Sequence, residues 1–233
     1  MVLSDLTVIR NMTQDQSPKT KDPRTKTNEV SAIILAAGRS SRMGAFKPLL
    51  PFGQKTVIQT CIDNMRSGGV QSVVVVVSKG LRSAELKAHL KDSDVTLANN
   101  PDPYSEMSAS VGCGVLAVPK TTKAVIIIPV DHAAVPGEVV SSLIRAWKQG
   151  ARLVKPIVAG RGGHPVLVDL EFRNDLFNLN QARGLKGFFT EHQAQVSRIE
   201  VNSTYIARDM DTWDDYLALH QDVFGVPPPE TAR

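Results

Sequence analysis

VSAIILAAGRSSRMGAFKPLLPFG, residues 30–53, begins as an unbroken apolar run and passes at once into glycines, serines and spaced cations. A short apolar run that ends at glycine reads as a strand buried on both faces, the kind from which parallel sheets are built. Two more such runs follow, SVVVVVS at 72–78 and AVIIIPV at 124–130. Amphipathic segments separate them. QTCIDNMRSG (59–68) ends a helix stopped by Gly68 and Gly69. Further helices are predicted near 81–91, near 106–118 and over 136–149, with Pro136 near the first turn of the last, and DVTLAN (94–99) reads as a short strand. Beyond 150 the pattern loosens into ARLVKPIV, HPVLVDL, two short helices, QVSRIEV and a last helix from about 213. No internal repeat is visible. Strict strand–helix alternation over the first 150 residues predicts an α/β fold, a three-layer α/β/α sandwich on a mostly parallel sheet. Ligands of such sheets bind beyond the carboxyl ends of the strands, which is where the glycine-rich stretch falls.

Composition narrows the classes of function. The chain has 233 residues, 42% hydrophobic and 21% charged, ordinary for a protein with a sizeable core. The net charge of +4 looks like a nucleic-acid signal until the charges are located. Arg10, Lys19, Lys21, Arg24 and Lys26 crowd the start of the chain against Asp5, Asp15 and Asp22, and the rest is close to balanced. Aromatic residues are only 5%, too few for a base-stacking platform, so no nucleic-acid partner is expected. Residues 1–28 are polar and aperiodic and read as a disordered N-terminal extension, and 226–233 as a flexible tail. The N-terminus lacks the apolar core of a signal peptide, and no stretch approaches 18 uninterrupted apolar residues. The expectation is a cytoplasmic protein with no membrane partner. Cys61 and Cys113 form no CxxC pair, suit a reducing compartment, and read as core residues.

The glycine stretch is neither of the two common phosphate loops. A Walker loop, GxxxxGK followed by Ser or Thr, needs lysine directly after its second glycine; here Lys47 comes three residues after Gly44. The dinucleotide fingerprint GxGxxG fails because no glycine lies between Gly38 and Gly44. What remains is Gly38, Ser40, Ser41, Arg42, Gly44 and Lys47: backbone amides that can approach phosphate oxygens closely, a guanidinium that grips them bidentately, and a point charge. Asp131 follows the third apolar run directly, and a carboxylate there suits a cleft better than a core, although a turn or cap role is open to it. Asp211 could equally be a helix N-terminal acid, and Asp209 competes with it.

LAAGRSSRMGAFKPLLPFG resembles the signature of the nucleotidyltransferases related to molybdenum-cofactor guanylyl- and cytidylyltransferases, and Thr56 continues the pattern. The likeness extends to NPDPYSEMSASVGCG (100–114), to Asp131, to GRGGHPVLV (160–168) and to ARDMDTWDDY (207–216). It implies a single nucleotidyltransferase domain over 29–225, Rossmann-like and of the GT-A type, that binds a nucleoside triphosphate and Mg²⁺. In that resemblance Arg42 and Lys47 are catalytic. Leu35, Ala36, Ala37, Gly38, Ser41, Asn100, Ser108 and Ser110 bind nucleotide, and Asp131 and Asp211 bind the metal. His132, Gly163 and His164 face the acceptor. Two departures stand out: Glu106 where relatives often have glycine, and Gly112 where they often have arginine.

The expected reaction is transfer of CMP from CTP to molybdopterin with release of diphosphate, since LAAG is the cytidylyl-type form of the motif and guanylyl relatives tend toward LAGG. A molybdoenzyme or its maturation factor is the partner such an enzyme would dock. Other readings are guanylyl transfer, transfer to a sugar or polyol phosphate, and a non-catalytic nucleotide-binding regulator. Intact Arg42, Lys47, Asp131 and Asp211 speak against the last.

Overall fold

The computed structural model describes residues 29–38, 43–102 and 105–230. The extension over 1–28, Ser41 and Arg42 lie outside them. The three apolar runs are strands as predicted: β1 (Val30–Leu35) comes first. The hairpin strands β2 (Pro51–Phe52) and β3 (Lys55–Thr56), helix α1 (Val57–Ser67), β4 (Ser72–Ser78), α2 (Leu81–His89), β5 (Thr96–Asn100) and α3 (Met107–Ala117) follow. Then come β6 (Ala124–Pro129), α4 (Gly137–Lys148), β7 (Leu153–Val158), β8 (Arg161–Gly162), β9 (Val166–Asp169), α5 (Arg173–Phe177), α6 (Gly184–Glu191), β10 (Val196–Glu200) and α7 (Trp213–Phe224).

The main sheet runs β10-β7-β9-β6-β1-β4-β5, with β8 paired to β7. Strands β5, β4, β1 and β6 are mutually parallel, β10 runs parallel to β7, and β9 is antiparallel to both of its neighbours. The sheet is therefore mixed and mostly parallel.

Its two faces are both buried, and the two-residue period of a strand sorts side chains between them. Ala32, Ile34, Val73, Val75, Ile126 and Ile128 point to one core, shared with Val57, Ile58 and Met65 of α1, Leu143 of α4 and Tyr216 of α7. Ile33, Leu35, Val74, Val76, Val125 and Ile127 point to the other, under Val111 and Val115 of α3, Leu176 of α5 and Phe188 and Phe189 of α6. A uniformly apolar strand is what such a three-layer arrangement demands. Cys61 is a core residue of the first cluster, and burial pushes its thiol up, away from nucleophilic use.

Boundaries moved slightly. β5 begins at Thr96 because the backbone turns before it, Val95 N donating to Ser93 O at 2.8 Å. Pro136 caps α4 from outside its first turn. The segment after α7 starts with the Val226 carbonyl bonded to His220 Nδ1 at 2.7 Å, which ties it to the helix. Among the described residues no helix is long and apolar enough to cross a membrane.

Candidate active site

β1 and β6 end side by side, Leu35 pairing with Pro129, so the residues that follow each strand emerge at the same edge of the sheet. After β1 the chain passes through Ala36, whose N–H donates to Val76 O at 2.9 Å, into Ala37 and Gly38. The far end of this loop is clamped by two neighbours. Trp213 Nε1 donates to Met43 O at 2.9 Å and Arg82 donates to Gly44 O at 3.2 Å. Lys47 then opens a short 3-10 turn, Lys47–Leu49, with Pro48 stiffening its second position.

After β6 a second 3-10 turn, Val130–His132, carries Asp131. Its side chain caps nothing. Its Oδ2 lies 3.5 Å from Lys47 Nζ, and its Oδ1 is buried with no hydrogen-bond partner among the described residues. Asp211 arrives from the opposite side. The capping box at the start of α7 is made by Thr212 and Asp215, the Thr212 hydroxyl accepting from Asp215 N and the Asp215 carboxylate accepting from Thr212 N. The Thr212 hydroxyl also donates to the Asp215 carboxylate at 2.6 Å, and this bond, with the one from Thr212 N, holds the Asp215 carboxyl below its usual range. Asp211, one residue before the cap, is thereby freed from helix duty and accepts from Lys47 Nζ at 2.9 Å. Asp209 is exposed.

The result is a lysine between two carboxylates that lie 84 and 164 positions away in sequence. Lys47 is 8% exposed, so it is not the solvated cleft cation that its loop setting suggests.

Lys47 and Asp131 sit at the wall of a cavity of about 180 Å³ that is also lined by Leu35, Ala36, Ala37, Gly38 and Ser110. Five of the residues expected to hold nucleotide thus share one cavity with the central lysine. Asn100 has a different position. It is 2% exposed, its Nδ2 donates to Ser105 Oγ at 2.8 Å and Ser110 Oγ at 2.9 Å, and its Oδ1 accepts from Asp102 N at 3.1 Å. It braces the cavity wall from behind.

Ser108, Gly163 and His164 line a second cavity, of about 450 Å³. Gly163 is there because nothing larger fits: a Cβ would stand 2.0 Å from the Ile206 carbonyl oxygen, which also accepts from His164 N at 2.8 Å. The His164 ring lies 4.8 Å, centroid to centroid, from that of His132, so the two histidines join the second cavity to the Asp131 turn. The sequence did not single out Met107, which faces both cavities, nor Pro48 and Pro129, which wall the first. An isolated methionine or proline carries no spacing signal.

Burial, with His132 and Lys155 adding repulsion, pushes His164 down to about 3 from an ordinary 6.5, so the fold holds the ring neutral. The unfolded chain therefore takes up the proton first. Stability from this residue is fully present above about 6.5 and is lost as pH falls toward 3. The melting temperature should drop between pH 6.5 and 4 more steeply for the native chain than for His164→Gln. Equal slopes in the two proteins would show that the ring takes protons without unfolding.

Comparison with known proteins bears on the family and the fold. Residues 32–196 match the MobA-like NTP transferase domain. A molybdenum cofactor cytidylyltransferase from Escherichia coli (strain K12) is 28% identical over 200 residues, spanning 82% of this chain and 96% of its own. A nicotine blue oxidoreductase from Paenarthrobacter nicotinovorans is 26% identical over 199 residues, spanning 82% and 96%. Among solved structures, a nucleotidyl transferase from Methanothermobacter thermautotroptrophicus superposes with a TM-score of 0.72 at 23% identity, covering 85% of this chain and 99% of that one.

Proposed function

The chain belongs to the MobA-like NTP transferase domain family and is a nucleotidyltransferase; from that premise we propose that it transfers CMP from CTP to molybdopterin and releases diphosphate. The observation that carries the proposal is the Asp131–Lys47–Asp211 constellation at the edge of a cavity walled by Leu35–Gly38. The E. coli relative, named a molybdenum cofactor cytidylyltransferase, supports the choice of a cytidylyl group and of a molybdenum-cofactor acceptor.

An acceptor phosphate oxygen attacks the α-phosphorus, a new P–O bond forms, and the bond to the β-phosphate oxygen breaks, so the electron pair leaves with diphosphate. Two polyanions must meet, and negative charge grows on the leaving oxygens. Catalysis is chiefly positioning and neutralisation. Lys47 supplies a fixed positive charge already desolvated by its surroundings. Arg42, whose position lies outside the described residues, is proposed to grip the triphosphate.

The residues fit a divalent cation. The buried Asp131 Oδ1 without a partner is costly to keep and matches a hard ion. Among the described residues no group of three or more His, Cys, Asp or Glu converges on one point, so Asp131 and Asp211 would hold the ion with phosphate and water oxygens completing its shell. When bound, Mg²⁺ supplies charge neutralisation at the phosphates and orients them. Ser108, Gly163 and His164, which line the second cavity, and His132, whose ring lies beside that of His164, are proposed to contact nucleotide or acceptor.

The test is base selection. Main-chain groups at Leu35 and Ala37 are proposed to pair with a small pyrimidine carrying an exocyclic amine, and a site built on such bonds rejects a base that leaves them unpaired. With molybdopterin as acceptor, kcat/KM for CTP should exceed that for GTP by about 100-fold, roughly 2.7 kcal/mol. Ala37→Gly should narrow the gap. Equal or better use of GTP by the native chain overturns the cytidylyl assignment, and transfer to a sugar or polyol phosphate in preference to molybdopterin overturns the acceptor.

A further inference from the structure

The second cavity carries a charge pattern that neither the loop motif nor the reacting constellation uses. Lys155, on β7, and Lys186, in the first turn of α6, both line it, with Arg183 just before that helix. Arg183 is already paired with Glu191 at 3.0 Å. Neither Lys155 nor Lys186 has a hydrogen bond or ion pair among the described residues. Lys155 is half-buried, and burial together with Arg198 and Lys186 pushes its ammonium below the usual lysine range. The α6 N-terminus opens into the same space with no side-chain cap and no acid in its first turn, adding its dipole. Among the described residues Glu106 is the one acid on the wall.

Lys155 is half-buried against like charge with no counter-ion among the described residues, and Lys186 stands exposed at the rim of the same cavity; such an arrangement costs stability unless an anion enters. The end of the Lys155 side chain lies across Gly162: a Cβ there would stand 2.7 Å from Lys155 Cε, so an alanine would push the ammonium end aside.

We propose that Lys155 and Lys186 form an oxyanion seat for the acceptor, gripping an anionic group at the end of that molecule away from the phosphate that reacts. The separation supports this division. The reacting phosphate must approach Lys47 and Asp131 in the first cavity, whereas Lys155 and Lys186 line only the second, and the His132–His164 pair stands between Asp131 and this seat. The acceptor class is then a molecule anionic at both ends, and a plain monophosphate is a poor substitute. The proposal deepens the nucleotidyltransferase reading and rests on it for the identity of the ligand as acceptor.

The experiment titrates inorganic phosphate into the full chain with the nucleotide site already filled by a non-hydrolysable CTP analogue and Mg²⁺, by calorimetry. Phosphate should bind the native chain and bind Lys155→Gln and Lys186→Gln at least tenfold more weakly, with analogue affinity unchanged within twofold. Gly162→Ala keeps every charge but displaces the lysine, and should weaken phosphate comparably, whereas Lys155→Arg should retain most of it. In turnover the same variants should raise the acceptor KM with little change in the KM for CTP. Equal phosphate affinity in native and variant chains, or no phosphate binding to the native chain, overturns the seat. If phosphate binding depends on Lys155 and Lys186 but no nucleoside triphosphate binds or is consumed with any acceptor, the seat stands and the transferase reading falls.

Discussion

Lys47→Met is expected to lower kcat by about 100-fold and at the same time to tighten binding of Mg²⁺. The first effect follows from removing a fixed positive charge aimed at phosphates whose charge rises during the reaction; loss of one such group costs about 10²–10³ in rate. The second follows from the geometry. Lys47 Nζ stands 2.9 Å from Asp211 and 3.5 Å from Asp131, so without it the two carboxylates lose the cation they share. Methionine keeps the volume at a site only 8% exposed, which separates charge from packing. In the absence of divalent ions the variant should melt lower than the native chain, and added Mg²⁺ should raise its melting temperature more than it raises the native one. A variant with reduced stability that Mg²⁺ does not recover, together with native-like turnover, would mean that Lys47 only ties elements together.

Asp131→Asn is expected to have a comparable effect through the opposite charge. The side chain offers one oxygen to Lys47 and keeps the other buried and unmatched. An amide in its place is a weak ligand for a hard cation and removes one of the two carboxylates that flank Lys47. Activity at saturating substrate should fall by about 100-fold and the Mg²⁺ concentration for half-maximal rate should rise by at least about tenfold. Asp209→Asn is the internal control: Asp209 is exposed while Asp211 reaches Lys47, so its removal should change the Mg²⁺ requirement far less. If Asp131→Asn keeps full activity at limiting Mg²⁺, Asp131 holds no metal.

The layered core was legible because both faces of β1, β4 and β6 are buried, and only near-continuous apolar sequence satisfies that. The C-terminal part was harder to read. β8 spans two residues and β9 four, and both run antiparallel to their neighbours, so periodicity has too few positions to register. The site divides similarly. Gly38, Lys47 and Asp131 were visible because each directly follows or closely trails a strand that could be recognised. That Lys47 is buried between two acids could not be seen, because a contact across 164 positions leaves no local trace. The role of Thr212 in relieving Asp211 of helix capping is written in the TWDD sequence, but it reads equally as an acidic helix start. Lys155 carries no motif at all; its meaning depends on the cavity it shares with Lys186 and the start of α6.

The most direct measurement is mass analysis of molybdopterin after incubation with the full chain, CTP and Mg²⁺, with diphosphate counted in the same tube. The account predicts that molybdopterin gains the mass of one CMP for each diphosphate released, and that Lys47→Met abolishes most of both. Unmodified molybdopterin with intact CTP, or CTP consumed with no CMP attached to any acceptor, contradicts it.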